Sequence, residues 1–278
     1  MGSRAEPLHW QGTPVGFQIH GVRVQLIKDF VGTIQRLAKI GYISVELCSF
    51  KGYAGDVQRG DFGPLADMQP AQIRRLVEDA GMSVSGCHFR LAELKNREIG
   101  RTLDWSMGVG ANYVILAEDP DMSMAEWRCA FELMNQCGER VRKAGLTFAL
   151  HTPFGIWKRL DGVMVLDEMM RSVKPENLIY QLDLSTAWLN GIDSAKYLAG
   201  HPDRFFSVHL RDGKRPDQPV TSMSSLPLGE GEINLKEVLS SAENTGVENC
   251  VVEMEVDSRT DPIEAFRASA EYLRRLSS

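Results

Sequence analysis

The sequence contains no uninterrupted apolar run near the roughly 20 residues that a membrane-spanning helix needs. Basic residues are also in deficit, because 31 Lys and Arg against 37 Asp and Glu leave a formal net charge of −6. This acidic balance weighs against nucleic acid or an anionic membrane surface as the main partner. The first residues lack the apolar core of a secretory signal. We therefore expect a cytoplasmic protein with no membrane partner.

Two common kinds of site motif are missing as well. The five cysteines form no Cys-x-x-Cys pair, and Cys48, Cys87 and Cys250 lie in or beside apolar runs, which is typical of buried reduced thiols. No Gly-x-Gly-x-x-Gly turn follows the first predicted strand, which argues against a dinucleotide-binding sheet. No glycine-rich phosphate cradle is visible, so an uncharged sugar, keto-sugar or cyclitol is supported at least as well as a phosphorylated one.

Strand and helix patterns alternate regularly along the 278 residues. Near-continuous apolar runs such as Tyr-Val-Ile-Leu at 113–116 are typical of parallel strands covered on both faces. We predict strands at 15–20, 42–47, 84–88, 113–118, 146–151, 178–183, 205–209 and 250–253. Helices are predicted at 30–40, 71–80, 98–107, 124–144, 163–173, 194–199, 235–244 and 262–275. The pattern predicts an α/β fold, a single (β/α)8 TIM barrel over residues 1–278. Residues 1–12 are an N-terminal lead, of which residues 1–11 are predicted to be disordered.

Every predicted strand ends in or beside an ionisable side chain, about one for each β-α unit of roughly 30 residues. The carboxyl ends of barrel strands share one face, where enzymes of this fold have their active site. Because charged groups are rarely buried unpaired, such a ring indicates a metal site, a proton-transfer site or both. The residues are His20, Glu46, His88, Glu118, His151, Asp183, His209 and Glu253.

A family resemblance is carried by the order and spacing of several stretches. These are VGFQIHGVR at 15–23, LAKIGYISVE at 37–46, QLDLSTAW at 181–188, VHLRD at 208–212, LGEGEIN at 228–234 and VE at 252–253. Together they resemble the xylose isomerase-like barrels of the sugar phosphate isomerase/epimerase superfamily, close to its inosose dehydratase branch. The resemblance spans about residues 14–276 and implies the same barrel.

The resemblance also implies a divalent metal at the barrel mouth, held in many members by Glu, Asp, His and Glu from strands five to eight. Asp183, His209 and Glu253 match three of these positions, and His151 stands where many relatives have glutamate. His151 is either a fourth ligand or a residue behind the ligands or against the substrate. Such a mixed N/O set suits Mn²⁺, Co²⁺, Fe²⁺, Zn²⁺ or Mg²⁺, and the extra histidine should shift the preference away from Mg²⁺. A purely structural role is the alternative.

The predicted catalytic residues are Glu253, His151 and Glu46. Histidine is a competent general base near neutral pH, so His151 and Glu253 can divide the base and acid roles. In related epimerases two facing glutamates exchange the protons, so His151 puts a symmetric epimerisation in doubt and is compatible with loss of water. Glu46 either contacts a sugar hydroxyl, acts as an acid, or pairs with Arg23 or Arg90.

The predicted substrate-binding residues are His88, Arg211, Trp188, Trp157 and His20. Arg211 stands where relatives often have lysine, and would hold an anionic group or balance Glu253. Both tryptophans could stack on a sugar ring or simply pack in the wall. The loop at 50–61 is a candidate lid, and the loop at 213–227 a candidate cover or subunit contact, since relatives are often oligomers.

The sequence thus predicts a divalent-metal-dependent isomerase or epimerase for a sugar, keto-sugar or cyclitol. It would abstract a proton beside a carbonyl, with a metal-stabilised enediolate. A lyase of the inosose dehydratase type is the first alternative, and a non-catalytic sugar-binding or partner-subunit barrel is the second. Metal-assisted DNA hydrolysis, known for other barrels of this kind, would need more ligands and a basic groove.

Overall fold

The computed structural model describes residues 5–49, 62, 65–215, 217–218, 220, 223–255 and 260–277. Eight parallel strands pair in sequence order, and the last pairs with the first through Cys250 and Val15, which closes the sheet. This confirms the predicted single (β/α)8 barrel. The strands are β1 Thr13–Gln18, β2 Ser44–Cys48, β3 Ser83–Phe89, β4 Tyr113–Leu116, β5 Thr147–His151, β6 Ile179–Asp183, β7 Phe205–Leu210 and β8 Asn249–Val252.

One main helix follows each strand. They are α1 Phe30–Ile40, α2 Pro70–Asp79, α3 Glu98–Val109, α4 Met124–Lys143, α5 Val165–Ser172, α6 Ser194–Gly200, α7 Leu235–Glu243 and α8 Pro262–Ser277. Shorter helices lie at Ile19–Val22, Arg23–Lys28, Leu91–Leu94, Phe154–Trp157 and Leu184–Leu189. Helix α5 begins two residues later than predicted, because Val163–Met164 pairs with Arg159–Leu160 in a small hairpin.

The amino-terminal end of the barrel interior is closed by apolar side chains. Tyr113 at the start of β4 stacks on Phe206 of β7, with ring centroids 4.1 Å apart. Ile115 and Ala149 are fully buried beside them. Because this end is filled, the polar residues at the opposite strand ends surround the remaining open space. Among the described residues, no helix has the length and apolarity needed to cross a membrane.

The described part of the N-terminal lead is ordered, which corrects the prediction of disorder there. His9–Trp10 forms a short antiparallel strand against β1. Leu8 and Trp10 are buried, and burial of their apolar surface explains why the segment stays on the barrel. The candidate lid at 50–61 lies outside the described residues, as do parts of the loop at 213–227.

Candidate active site and metal centre

A cavity of about 440 Å³ opens at the carboxyl ends of the barrel strands. Five of the predicted strand-end residues contribute to its wall: His20, His88, Glu118, His151 and Glu253. The structure therefore brings side chains from both halves of the chain to one mouth, as the barrel requires. Residues that sequence reasoning did not single out complete the wall, among them Gln18, Asp119, Phe154 and Glu255.

His209 lies at the centre of the site, fully buried between two carboxylates. Its Nδ1 is 2.7 Å from Glu253 Oε2, and its Nε2 is 2.8 Å from Glu46 Oε1. Burial disfavours the charged ring, but the two carboxylates outweigh it and raise the pKa of His209 to about 10. The imidazole is therefore protonated at neutral pH in the metal-free protein, and it donates from both nitrogens.

Glu46 lies below the cavity and has partners on both oxygens. Oε1 accepts from His88 Nε2 at 2.7 Å as well as from His209, and Oε2 accepts from Gln181 Nε2 at 2.6 Å. Its partners are two histidines and an amide, not the arginines considered from the sequence. Burial alone would raise the pKa of Glu46, but His209 and His88 hold it well below its usual range. Glu46 is thus an ionised residue that fixes the histidines, and it is not part of the cavity wall.

The opposite side of His209 is different, because His151 approaches the two carboxylates there without forming a hydrogen bond. His151 Nε2 is 3.4 Å from Asp183 Oδ2 and 3.9 Å from Glu253 Oε2. Both His151 Nε2 and Asp183 Oδ2 are buried and have no hydrogen-bond partner. Burial lowers the pKa of His151, with Asp183 opposing it in part, so this ring is neutral at pH 7. Orphaned buried polar atoms need an explanation, and a ligand or ion that completes the site is one such explanation.

Local structure explains why Asp183 presents one oxygen to the site. Asp183 ends β6 and caps the short helix after it, with Oδ1 accepting from Ser185 Oγ at 2.6 Å and from the Thr186 amide at 2.7 Å. Its own amide donates to Thr152 Oγ1 at 2.9 Å. An aspartate is a favoured N-cap because it accepts such bonds. With Oδ1 held in the cap, Oδ2 is left facing His151.

These residues fit a divalent metal. One atom from each of His151, Asp183, His209 and Glu253 lies within 4.8 Å of the others. Ligands about 2.1 Å from a four-coordinate ion lie about 3.4 Å apart, which matches the approach of His151 to Asp183. Glu46, His88 and His209 form a second such group, but its hydrogen bonds are already made. The orphaned atoms therefore make the first group the better candidate for a metal centre.

Arg211 occupies the edge of this group. Its Nη1 is 3.6 Å from both Asp183 Oδ2 and Glu253 Oε2, and the side chain is buried outside the cavity wall. Burial would raise the pKa of both carboxyls, yet Arg211, followed by the neighbouring histidines, holds both below their usual range. The carboxylates are therefore ionised and ready to bind a cation.

The structure places both tryptophans outside the described wall of the cavity, and their contact with a sugar stays a prediction. Trp157 is buried behind the wall, where it packs edge-on against Tyr197 and donates to Thr186 Oγ1 at 3.3 Å. The turn at Phe154–Trp157 directs Phe154 into the cavity instead. Trp188 is covered by the Arg215 guanidinium, 4.4 Å from its ring centroid, and is not in the wall.

Gln181 and Glu255 are the most informative residues that sequence reasoning missed. Gln181 precedes Asp183 by two positions on β6, so strand alternation places both on the inner face, and this signal was available. It joins Glu46 to His88, with Oε1 3.1 Å from His88 Nε2. Glu255 lies beyond β8, and its Oε1 is 2.9 Å from His20 Nδ1. Only the closed barrel brings the ends of β8 and β1 side by side.

Comparisons with known proteins agree with this arrangement. A sugar phosphate isomerase/epimerase from Parabacteroides distasonis superposes with a TM-score of 0.77 at 18% identity, over 98% of this chain and 97% of the other. The probable 3-DHS dehydratase AsbF from Bacillus anthracis gives 0.72 at 14% identity, over 94% and 98%. The IOLI protein with a bound zinc atom gives 0.70 at 14%, over 95% and 98%. Such low identities show the fold alone.

No curated protein matches the sequence. The family model described as xylose isomerase-like TIM barrel matches residues 34–276. That range includes β2 to β8 and every residue of the candidate metal centre. The chain therefore belongs to the xylose isomerase-like TIM barrel family.

Proposed function

We propose that this protein is a divalent-metal-dependent isomerase or epimerase of a sugar, keto-sugar or cyclitol. The observation that carries the proposal is the pair of buried, orphaned atoms, His151 Nε2 and Asp183 Oδ2, facing each other at one edge of a polar cavity. The family and its sugar phosphate isomerase/epimerase neighbour support a sugar-like substrate.

In this proposal His151, Asp183, His209 and Glu253 hold the ion. When bound, the ion supplies Lewis-acid polarisation of a substrate carbonyl. His209 must give up its Nδ1 proton to act as a ligand, and the hydrogen bond from Nε2 to Glu46 then keeps the ring in one tautomer and orientation. Glu46 therefore takes a positioning role here, rather than the catalytic role predicted from the sequence.

Glu253 is the proposed general base. Its contacts with His209, His151 and Arg211 all fall on Oε2, and the side chain contributes to the cavity wall. Oε1 is thus the oxygen left to take a proton from the carbon beside the substrate carbonyl. Returning that proton to the neighbouring carbon from the same oxygen, while the hydroxyl proton passes to the former carbonyl oxygen, completes an isomerisation.

Dehydration is a second candidate, favoured by the pair formed by His20 and Glu255. Both residues contribute to the cavity wall, and Glu255 Oε1 holds His20 Nδ1 at 2.9 Å. His20 follows β1 and His151 ends β5, so the two lie across the mouth of an eight-stranded barrel. His20 is thus placed to contact a departing hydroxyl, and the structural neighbour AsbF is described as a probable dehydratase.

The test incubates Mn²⁺-loaded protein with a panel of keto-sugars and cyclitols in deuterated solvent. NMR measures the deuterium that each compound incorporates. We expect incorporation beside the carbonyl that Glu253→Gln reduces by at least about a hundredfold. Glu264→Gln, on the exposed face of α8, is the matched control. Incorporation without loss of water supports isomerisation, and release of water supports dehydration. Incorporation that survives both Glu253→Gln and removal of metal would contradict the proposal.

A further inference from the structure

We propose that Arg211 is an internal counter-ion that competes with the divalent ion for Asp183 and Glu253, and so sets how tightly this site holds metal. The inference rests on the metal centre proposed above. It goes further, because it assigns to one side chain of this protein control over occupancy of the site. It also predicts that removing a buried residue next to the site will improve metal binding.

The first observation is where the guanidinium lies. Nη1 is equally distant, 3.6 Å, from the Asp183 and Glu253 oxygens that face the metal centre. Asp183 is fully buried, and Arg211 and Glu253 are nearly so, so water screens these charges little. Arg211 neutralises the negative charge of the two carboxylates, and a bound divalent ion would do the same. A guanidinium this close would also repel a bound ion.

The second observation is that Arg211 is held loosely for a buried arginine. Its distances to the two carboxylates exceed hydrogen-bond length, its Nε has no hydrogen-bond partner, and Nη2 donates to Ser225 Oγ at 3.4 Å. A structural arginine of this kind normally makes short, forked contacts with a carboxylate. Arg211 thus neutralises the charge of the two carboxylates without being held by short hydrogen bonds.

The third argument is an alternative partner for the displaced charge. Burial opposes the charge of Arg211, whereas Glu253, Asp183 and, after them, Glu255 raise its pKa, and Ser225 contacts the guanidinium from the loop side. When an ion takes Asp183 and Glu253, Arg211 can turn toward Glu255 and remain paired. Exchange of one cation for another keeps the buried carboxylates neutralised in both states.

The experiment is a Mn²⁺ titration of the metal-free full chain, with free Mn²⁺ followed by EPR, together with thermal unfolding with and without Mn²⁺. Four proteins are compared: wild type, Arg211→Gln, Arg211→Lys and Arg101→Gln. Arg101 is an exposed arginine paired with Glu98 on α3, so its variant loses the same charge far from the site. None of these readouts depends on catalytic activity.

We expect Arg211→Gln to bind Mn²⁺ at least about tenfold more tightly than wild type, because a nearby positive charge has been removed. Its metal-free form should unfold at a lower temperature, and its gain in Tm on adding Mn²⁺ should be larger. Arg211→Lys keeps the charge and should stay within about threefold of wild type. Arg101→Gln should match wild type.

Several outcomes would overturn the inference. If wild type binds Mn²⁺ and Arg211→Gln binds it equally or more weakly, Arg211 does not compete, while the metal centre stands. If Arg211→Lys binds as tightly as Arg211→Gln, charge is not the cause. If no protein of the set binds Mn²⁺, both the inference and the proposed metal centre fail.

Discussion

The two sides of His209 differ sharply, although one buried ring joins them. On the Nε2 side, Glu46, His88 and Gln181 make short contacts of 2.6 to 3.1 Å. On the Nδ1 side, His151 and Arg211 approach the two carboxylates only to 3.4 to 3.9 Å. A polar network whose hydrogen bonds are all formed holds its side chains in place. Buried polar groups without hydrogen bonds can instead bind a ligand or ion. In the proposed function, the Nε2 side therefore positions His209 and the Nδ1 side binds the metal.

The largest effect is expected from removing one charge on the binding side. Asp183→Asn keeps an oxygen that can cap the helix but loses the carboxylate. Because even residues behind a metal ligand alter affinity about 10- to 100-fold, we expect Mn²⁺ affinity to fall by at least about a hundredfold. Elemental analysis after Mn²⁺ loading measures the loss as a lower Mn²⁺ content of the protein.

Asp193→Asn is the matched control for that variant. Asp193 caps α6 through the Lys196 amide and lies outside the site. It should keep its cap and bind Mn²⁺ as wild type does. Full Mn²⁺ occupancy in Asp183→Asn would exclude this metal centre.

A variant on the Nε2 side of His209 should have a smaller effect on metal affinity but a clear effect on the free energy of unfolding. Glu46→Gln leaves His209 with one carboxylate, which lowers the pKa of His209 from about 10. We expect a loss of about 2 kcal/mol in unfolding free energy by urea denaturation. Mn²⁺ affinity should fall about tenfold. Unchanged stability would show that the contacts on the Nε2 side of His209 do not stabilise the site. Glu139→Gln, on the surface, is the control for the lost charge.

The two sides also predict a pH dependence for the metal-free protein. The folded pKa of His209, about 10, lies above its ordinary value of 6.5. Its contribution to stability is thus fully present below pH 6.5 and is lost as pH rises through 10. We expect unfolding free energy to fall between pH 7 and 10 in chelator, by an amount on the order of a few kcal/mol. With Mn²⁺ present the fall should be smaller, since the ion replaces the proton; identical profiles would contradict proton displacement.

The smallest effect is expected from loosening one ligand. Ser185→Ala removes the hydroxyl that donates to Asp183 Oδ1 at 2.6 Å, while the Thr186 amide still holds that oxygen. We expect a loss of about 1 kcal/mol in stability and a severalfold weaker affinity for Mn²⁺. Urea denaturation and EPR titration measure the two. An affinity loss as large as that of Asp183→Asn would mean that the cap, not the charge, makes the site.

Much of the site follows from regular features of the chain. Asp183, His209 and Glu253 follow adjacent strands at the same end, so alternation of strands and helices is enough to place them together. The tryptophans show where such reasoning stops. Trp157 lies beyond the end of β5, in the short helix Phe154–Trp157, and that helix directs its side chain toward Tyr197 rather than the cavity. Residues beyond a strand end have no fixed register, so their direction depends on loop packing.

By itself, the sequence determined the barrel and the set of charged residues at its mouth, because strand and helix periodicity are local properties of the chain. The tertiary structure decided which of those residues are satisfied and which are not. Glu46 and Glu253 are both strand-end glutamates, yet one is enclosed by Gln181, His88 and His209 and the other faces the cavity. That difference depends on contacts between strands far apart in sequence, and only closure of the barrel sets them.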